Sequence, residues 1–149
     1  MSKVAIYGGG IIAMLLALVF KEKSYEVEIW RPYFKAPADK KSSRVFALNH
    51  KAMQLLKELG VWADFNHEHM TPVQSMLIWD EQTAAQLHFS AKDAGQYRLS
   101  HIVDEGFLWD SLYALLQQYQ IPIMDLAQDE HCHMHEGVWY STCSKADFL

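Results

Sequence analysis

Cysteine, long apolar runs and excess positive charge are all scarce in this chain, and each shortage excludes a class of protein. Only two cysteines occur in 149 residues, so no disulfide framework is available and a reducing compartment, the cytoplasm, is expected. The apolar run 11–20 is shorter than the ~20 residues that span a bilayer and lacks a basic leader, so neither a membrane span nor a signal peptide is expected. The net charge is −5 without a basic stripe, which argues against nucleic acid as a partner.

The N-terminal segment does contain a recognisable pattern of strand, glycine turn, helix and strand. KVAIY at residues 3–7 predicts a short buried strand, three glycines follow, and the apolar segment 11–23 has the length of a helix. YEVEIW at residues 25–30 alternates as a strand does. Together these pieces have the size of a βαβ unit, which takes about 30 residues. The pattern therefore predicts an α/β fold with a Rossmann-like lobe.

The glycine turn matches the dinucleotide-binding pattern G-x-G-x-x-A. Gly8 would make the tight turn, Gly10 would let a pyrophosphate approach the backbone, and Ala13 would allow close packing of helix on strand. The phosphates would rest on the amides at the helix N-terminus, which include those of Ile11 and Ile12. These five residues are the predicted dinucleotide site, and a purely structural glycine turn is the alternative.

The residue expected to bind the ribose is Arg31 instead of an acid. The pattern places an Asp or Glu about 20 residues beyond the glycines, and that count falls on Arg31. Glu28 is near, but its strand parity is opposite to that of Val27 and Ile29, so it is expected to point elsewhere. An arginine here could bind a 2′-phosphate and favour an NADP-type ligand. It could equally be a solvated loop residue, and both interpretations stay open.

The rest of the chain predicts two amphipathic helices and several short strands. Asn49 is a plausible helix N-cap, apolar residues then recur at helical spacing, and Gly60 stands where a helix ends. A second helix is predicted from the apolar residues between 108 and 119. Further strands are predicted at 73–79, 84–90, 121–126, 130–135 and 138–143.

One histidine cluster raises the question of a metal site. HCHMH at 131–135 would place three imidazoles on one side of a strand. No carboxylate or second cysteine motif completes a ligand set, so an exposed polar strand face is expected and no metal site is predicted. No nucleophile–base pair or carboxylate pair occurs either, so no catalytic residue is assigned.

Four ordered segments carry a family resemblance that runs from end to end of the chain. They are KVAIYGGGIIAMLLALVF, SSRVFALNHKAMQLLKELGVWADF, MTPVQSMLIWDE and YRLSHIVDEGFLWDSLYALL. Together they resemble the N-terminal part of the FAD-dependent aromatic hydroxylases of ubiquinone biosynthesis, a branch of the p-hydroxybenzoate-hydroxylase-like flavoprotein monooxygenases.

The resemblance implies a cofactor, a substrate class and a further site residue. The ADP half of FAD would lie on the turn 8–13, and Arg44 matches the arginine that lies against the cofactor in the family. The flavin would add one oxygen atom to a bound aromatic ring, with NAD(P)H as the electron donor. The substrate would be a polyprenyl phenol or quinol, which implies peripheral association with the inner membrane.

The chain also departs from the family pattern. Arg31 replaces an acidic residue, Ser100 replaces glycine and Glu105 replaces asparagine, and these changes weigh against tight FAD binding. Family members continue well beyond this length, so a truncated N-terminal fragment with little or no hydroxylase activity alone is expected. The alternative is a cofactor-free remnant that serves as a binding or assembly subunit. In either case we expect a homo-oligomer or a companion chain, because the absent half would cover apolar surface.

The resemblance and the strand pattern together predict the domain organisation. We expect one incomplete FAD/NAD(P)-binding domain over residues 1–149, with a β-rich lobe attached to its nucleotide-binding lobe. The nucleotide-binding lobe is predicted at 1–70 and 100–120, and the β-rich segments at 71–99 and 121–149.

Overall fold

The computed structural model describes residues 2–31, 44–61 and 69–126 in full, and the backbone of 132–135 and 138–141. The elements in these ranges are β1 (Lys3–Tyr7), α1 (Ile11–Glu22), β2 (Glu26–Arg31), β3 (Val45–Asn49), α2 (His50–Glu58), β4 (Met70–Val73), β5 (Ser75–Trp79), β6 (Gln86–Ser90), β7 (Ser100–Asp104), α3 (Glu105–Gln118), β8 (Ile123–Asp125), β9 (Cys132–His135) and β10 (Val138–Ser141). The chain forms two compact units, a first unit of residues 1–38 and 112–149 and a second unit of residues 39–111.

The first unit is built on a parallel sheet of strand order β1-β2-β8. The inward side chains of its strands are apolar, and Val27 and Ile29 are almost fully buried. Helix α1 presents Ala17 and Leu18 to this core, where both are inaccessible to solvent or nearly so. A strand–helix–strand unit with parallel pairing confirms the predicted α/β, Rossmann-like fold. Strands β9 and β10 form a separate antiparallel pair.

The second unit contains an antiparallel sheet of strand order β3-β7-β4 and a hairpin of β5 with β6. Its buried residues include Leu56, Leu59 and Val103. Helix α2 begins as predicted, because the Asn49 side chain accepts a hydrogen bond from the backbone N–H of Ala52 at 2.9 Å. The helix ends before Gly60, whose φ of +78° is costly for any residue with a Cβ.

Two parts of the strand prediction need correction. The strand predicted at 73–79 exists as β5 but begins at Ser75, because Val73 is the last residue of the separate strand β4. Pro72 lies in β4 opposite His101, and proline is compatible with an edge strand because it has no N–H to donate. Strands β3 and β7 were not predicted from the sequence, although β7 is the central strand of its sheet.

His101 is a buried histidine in β7 whose protonation state is set by its surroundings. The side chain is 7% exposed, and its Nε2 lies 2.9 Å from Nη1 of Arg98. Because a guanidinium can only donate, this geometry requires Nε2 to accept, which is the role of a neutral imidazole. Burial lowers the pKa of His101 below its usual 6.5, and the charge of Arg98 lowers the pKa further.

We therefore expect the free energy of unfolding to decrease as the pH is lowered through about 6.5, the ordinary pKa of histidine. The unfolded chain protonates His101 near its ordinary pKa, whereas the folded chain does so only at lower pH. The contribution is thus fully present above the unfolded pKa and declines as the pH falls through it. Thermal denaturation should show this loss in the wild type and a flatter profile in His101→Gln, whose amide oxygen can still accept from Arg98. Parallel profiles for the two proteins would contradict the assignment.

Candidate functional site

The predicted glycine turn lies at the carboxyl end of β1, directly before α1. Gly8 has a φ of +150°, and its backbone N–H donates to the carbonyl oxygen of Trp30 at 2.9 Å. A Cβ added at Gly8 would lie 3.5 Å from the Cβ of Ala13. The turn therefore lies against the neighbouring strand on one side and the helix on the other, and the φ of +150° favours glycine at position 8.

The N-terminus of α1 is open in the way that a diphosphate would require. Gly10 is the N-cap residue with an extended backbone, and a Cβ added there would meet nothing within 4 Å. Gly10 supplies no capping side chain, and the first turn carries no acidic residue. The amides of Ile11, Ile12 and Ala13 belong to this first turn, where helix N–H groups have no partner within the helix. An oxyanion is the ligand that such a terminus favours.

Arg31 is the last residue of strand β2, so it does not lie in a loop. Its Nε lies 2.5 Å from Oδ1 of Asp125, and its Nη2 lies 2.9 Å from Oδ2. The hydrogen bond from Arg31 lowers the pKa of Asp125, which is therefore ionised at neutral pH. This forked pairing neutralises much of the guanidinium charge and disfavours the interpretation that Arg31 awaits a 2′-phosphate.

The aliphatic part of Arg31 also covers the middle glycine of the turn. A Cβ added at Gly9 would lie 2.5 Å from Cγ and 2.8 Å from Cδ of Arg31. Gly9 therefore permits the arginine stem to pack on the turn, while the neighbouring Gly10 stays clear. The sequence assigned no role to Gly9 or to Asp125, since both roles depend on what packs across the sheet edge.

Arg44 and Glu105 lie together in the second unit. Nη1 of Arg44 is 3.7 Å from Oε1 of Glu105, and the Glu105 backbone N–H donates to the Arg44 carbonyl oxygen at 3.1 Å. The Arg44 side chain is 81% exposed. Glu105 stands in the first turn of α3, where the helix dipole favours a carboxylate. The departure at position 105 thus has a local structural reason, namely a charge compensated by the arginine and the helix.

The second unit also has an open cavity of about 1000 Å³ beside α2. His50, Lys57 and Arg98 are among its lining residues, and none of the sequence-predicted site residues lines it. Ser100, which the resemblance aligned with a family glycine, lines it too, and its Oγ is buried with no hydrogen-bond partner among the described residues.

Two further predictions concern metals and membranes. His131 lies outside the described residues, and only the backbone of 132–135 is described, so the histidine cluster stays a sequence-level observation. Within 2–31, 44–61 and 69–126, no group of three or more His, Cys, Asp or Glu side chains could hold a metal ion. No helix among the described residues is both long and apolar enough to cross a bilayer.

Comparison with known proteins found two curated relatives, while no protein-family model matches the chain. Ubiquinone biosynthesis monooxygenase COQ6 of Drosophila melanogaster is 25% identical over 123 residues, covering 77% of this chain and 26% of the relative. The 3-demethoxyubiquinol 3-hydroxylase of Escherichia coli K12 is 27% identical over 121 residues, covering 79% of this chain and 31% of the relative. The match thus spans about a third or less of either relative's length.

Several solved structures share the fold at low sequence identity. A tetrameric 2-methyl-3-hydroxypyridine-5-carboxylic acid oxygenase superposes with a TM-score of 0.61 and 15% identity, over 89% of this chain and 32% of that one. CtdE in complex with FAD and a substrate superposes with a TM-score of 0.61 and 15% identity, over 95% of this chain and 36% of that one. The p-nitrophenol 4-monooxygenase PnpA of Pseudomonas putida has a TM-score of 0.61 and 12% identity, over 95% of this chain and 39% of that one.

These structures confirm the fold, and the two sequence relatives bear on the family. By name, one relative is a ubiquinone biosynthesis monooxygenase and the other a 3-demethoxyubiquinol 3-hydroxylase, in agreement with the resemblance of the four sequence segments. The chain is thus similar to the N-terminal part of the FAD-dependent aromatic hydroxylases of ubiquinone biosynthesis.

Proposed function

We propose that the chain binds the ADP half of FAD through the turn 8–13 and serves as the nucleotide-binding part of a ring-hydroxylating monooxygenase. One observation carries this proposal, the open helix N-terminus at Gly10. A diphosphate placed there would accept hydrogen bonds from the amides of Ile11, Ile12 and Ala13. Bound flavin would supply the oxygen-transfer chemistry, and the protein would supply position and charge.

Arg44 is the second cofactor-binding residue in this proposal. Its guanidinium is permanently charged and highly exposed, so it can donate to phosphate or flavin oxygens. Glu105 would orient it, because the two side chains form an ion pair. Sequence resemblance alone supports this role.

The proposed substrate is a polyprenyl phenol or quinol, with NAD(P)H as the electron donor. Support comes from the relatives alone, whose names are ubiquinone biosynthesis monooxygenase and 3-demethoxyubiquinol 3-hydroxylase. Such a substrate is membrane-resident, so peripheral association with the inner membrane belongs to the same proposal. The chain spans only 26% and 31% of the relatives. We also propose that it associates with a second copy or with a companion chain, which its exposed apolar side chains favour.

Flavin binding is the direct test of the proposal. Titration of the purified chain with FAD should saturate at one FAD per chain and quench flavin fluorescence, and ADP should compete. At a free FAD concentration 100 times the Kd, the stability should rise by about 2.7 kcal/mol, which is visible as a higher melting temperature. A folded chain that shows neither binding nor stabilisation would contradict the proposal.

The same titration separates the alternatives. A cofactor-free assembly subunit would be colourless and insensitive to FAD, NADH and NADPH. The feature that favours it is Arg31, which stands in place of the expected acid and is already paired with Asp125. Stabilisation by NADPH but not by FAD or NADH would instead indicate an NADP-binding protein.

A further inference from the structure

The carboxyl-terminal ends of β2 and β8 bring Arg31 and Asp125 side by side at one edge of the parallel sheet. The two residues are direct partners in the strand register, and the backbone N–H of Leu126 donates to the Arg31 carbonyl oxygen at 2.8 Å. The side chains add two hydrogen bonds in a forked geometry. The position of the Asp125 carboxylate is therefore fixed by backbone pairing and by the guanidinium together.

This carboxylate lies on the same sheet edge as the glycine turn. The stem of Arg31 packs on Gly9, as the short distances from a hypothetical Gly9 Cβ show. Asp125 itself remains 66% exposed. A carboxylate offers about four lone-pair positions on its two oxygens, and the forked arginine uses one on each. Each oxygen thus keeps an acceptor position available to a ligand.

A dinucleotide site of this type needs an acidic acceptor for the ribose hydroxyls at the end of the second strand, and this chain has Arg31 there. We propose that Asp125 supplies that acceptor from the neighbouring strand β8 and binds the 2′- and 3′-hydroxyls of an adenosine ribose, with Arg31 as the positioning residue. The inference rests on the proposed function, since it concerns the ribose of the same nucleotide. The negative charge of Asp125 also predicts discrimination against a 2′-phosphate.

The test compares ADP with 2′-deoxy-ADP by isothermal titration calorimetry. A hydroxyl bonded to a charged acceptor contributes enough that its loss should weaken wild-type binding about tenfold or more. Asp125→Ala should bind both nucleotides equally and no more tightly than wild type binds 2′-deoxy-ADP, because the variant also loses the bond to the 3′-hydroxyl. Glu26→Gln removes one negative charge at the opposite end of β2 and should keep the wild-type discrimination.

The positioning role of Arg31 has its own readout in the same experiment. Arg31→Gln leaves Asp125 in place without its forked partner, so the discrimination should shrink, and Arg31→Lys should restore part of it. Circular dichroism establishes that each variant is folded. Equal binding of both nucleotides by wild type, or full discrimination in folded Asp125→Ala, would overturn the inference while leaving the diphosphate site intact. Failure of wild type to bind ADP at all would overturn both proposals.

Discussion

Replacing Gly10 by aspartate is expected to abolish FAD binding without weakening the fold. Aspartate is a favoured N-cap residue, and Gly10 already has the extended backbone that an N-cap requires. Its carboxylate would accept from the first-turn amides and meet the helix dipole favourably, which contributes a few tenths to about 1 kcal/mol. A Cβ at this position meets no neighbour, so no clash offsets the gain. The melting temperature should stay the same or rise.

The same carboxylate would occupy the place of the diphosphate and repel it. Two like charges about 4 Å apart cost on the order of 4 kcal/mol near a protein surface, so the Kd for FAD should rise at least about 100-fold. Gly10→Asn is the matched control, because it can cap the helix without a charge, and we expect it to lose less affinity. Fluorescence titration with FAD measures both variants. Binding by folded Gly10→Asp within about threefold of wild type would place the diphosphate elsewhere.

The hairpin of β5 and β6 is expected to drive self-association of the chain. One of its faces is wholly apolar, since Met76 pairs with Phe89 and Ile78 pairs with Leu87. This face is open to solvent, since the exposed fraction is 40% for Met76, 47% for Phe89, 48% for Ile78 and 61% for Leu87. An isolated two-stranded hairpin is marginally stable, so burial against another surface would stabilise it as well.

The double variant Ile78→Thr with Leu87→Thr should therefore weaken self-association at least about 100-fold, because each buried aliphatic side chain contributes roughly 1.5–3 kcal/mol. Threonine suits a strand, so the hairpin itself should persist. Sedimentation velocity over a concentration series gives the dissociation constant. Leu77→Thr, on the opposite face beside His88, is the control and should associate as wild type does. Monomeric wild type at every concentration would contradict the prediction.

The turn could be predicted from the sequence because its determinants are local. Strand β1 has the bounds that KVAIY predicts, and the glycines before an apolar helical segment leave few other conformations. The N-cap of α2 is local in the same sense, since Asn49 and Ala52 are three residues apart. Such features depend on backbone geometry and periodicity alone.

The partner of Arg31 could not be predicted, because Asp125 is 94 residues away. The pair exists only because β8 adds to the sheet beside β2, and periodicity says nothing about strand neighbours. The solvent exposure of the apolar face of the hairpin could not be predicted from the sequence either. The apolar run of β5 and the alternation along β6 indicate strands, but only the structure shows that neither face of the pair is buried. Strand order and solvent exposure are tertiary properties, and both lie beyond the local pattern.

The proposed diphosphate site consists of the amides at the end of β1 and the start of α1. Titration of the ¹⁵N-labelled chain with ADP, followed by amide chemical shifts, locates the bound diphosphate residue by residue. We expect the largest shifts at Gly10, Ile11, Ile12 and Ala13, and we expect these shifts to saturate together. Shifts centred on the second unit, or no shifts at ADP concentrations that bracket the FAD affinity, would contradict the proposed site.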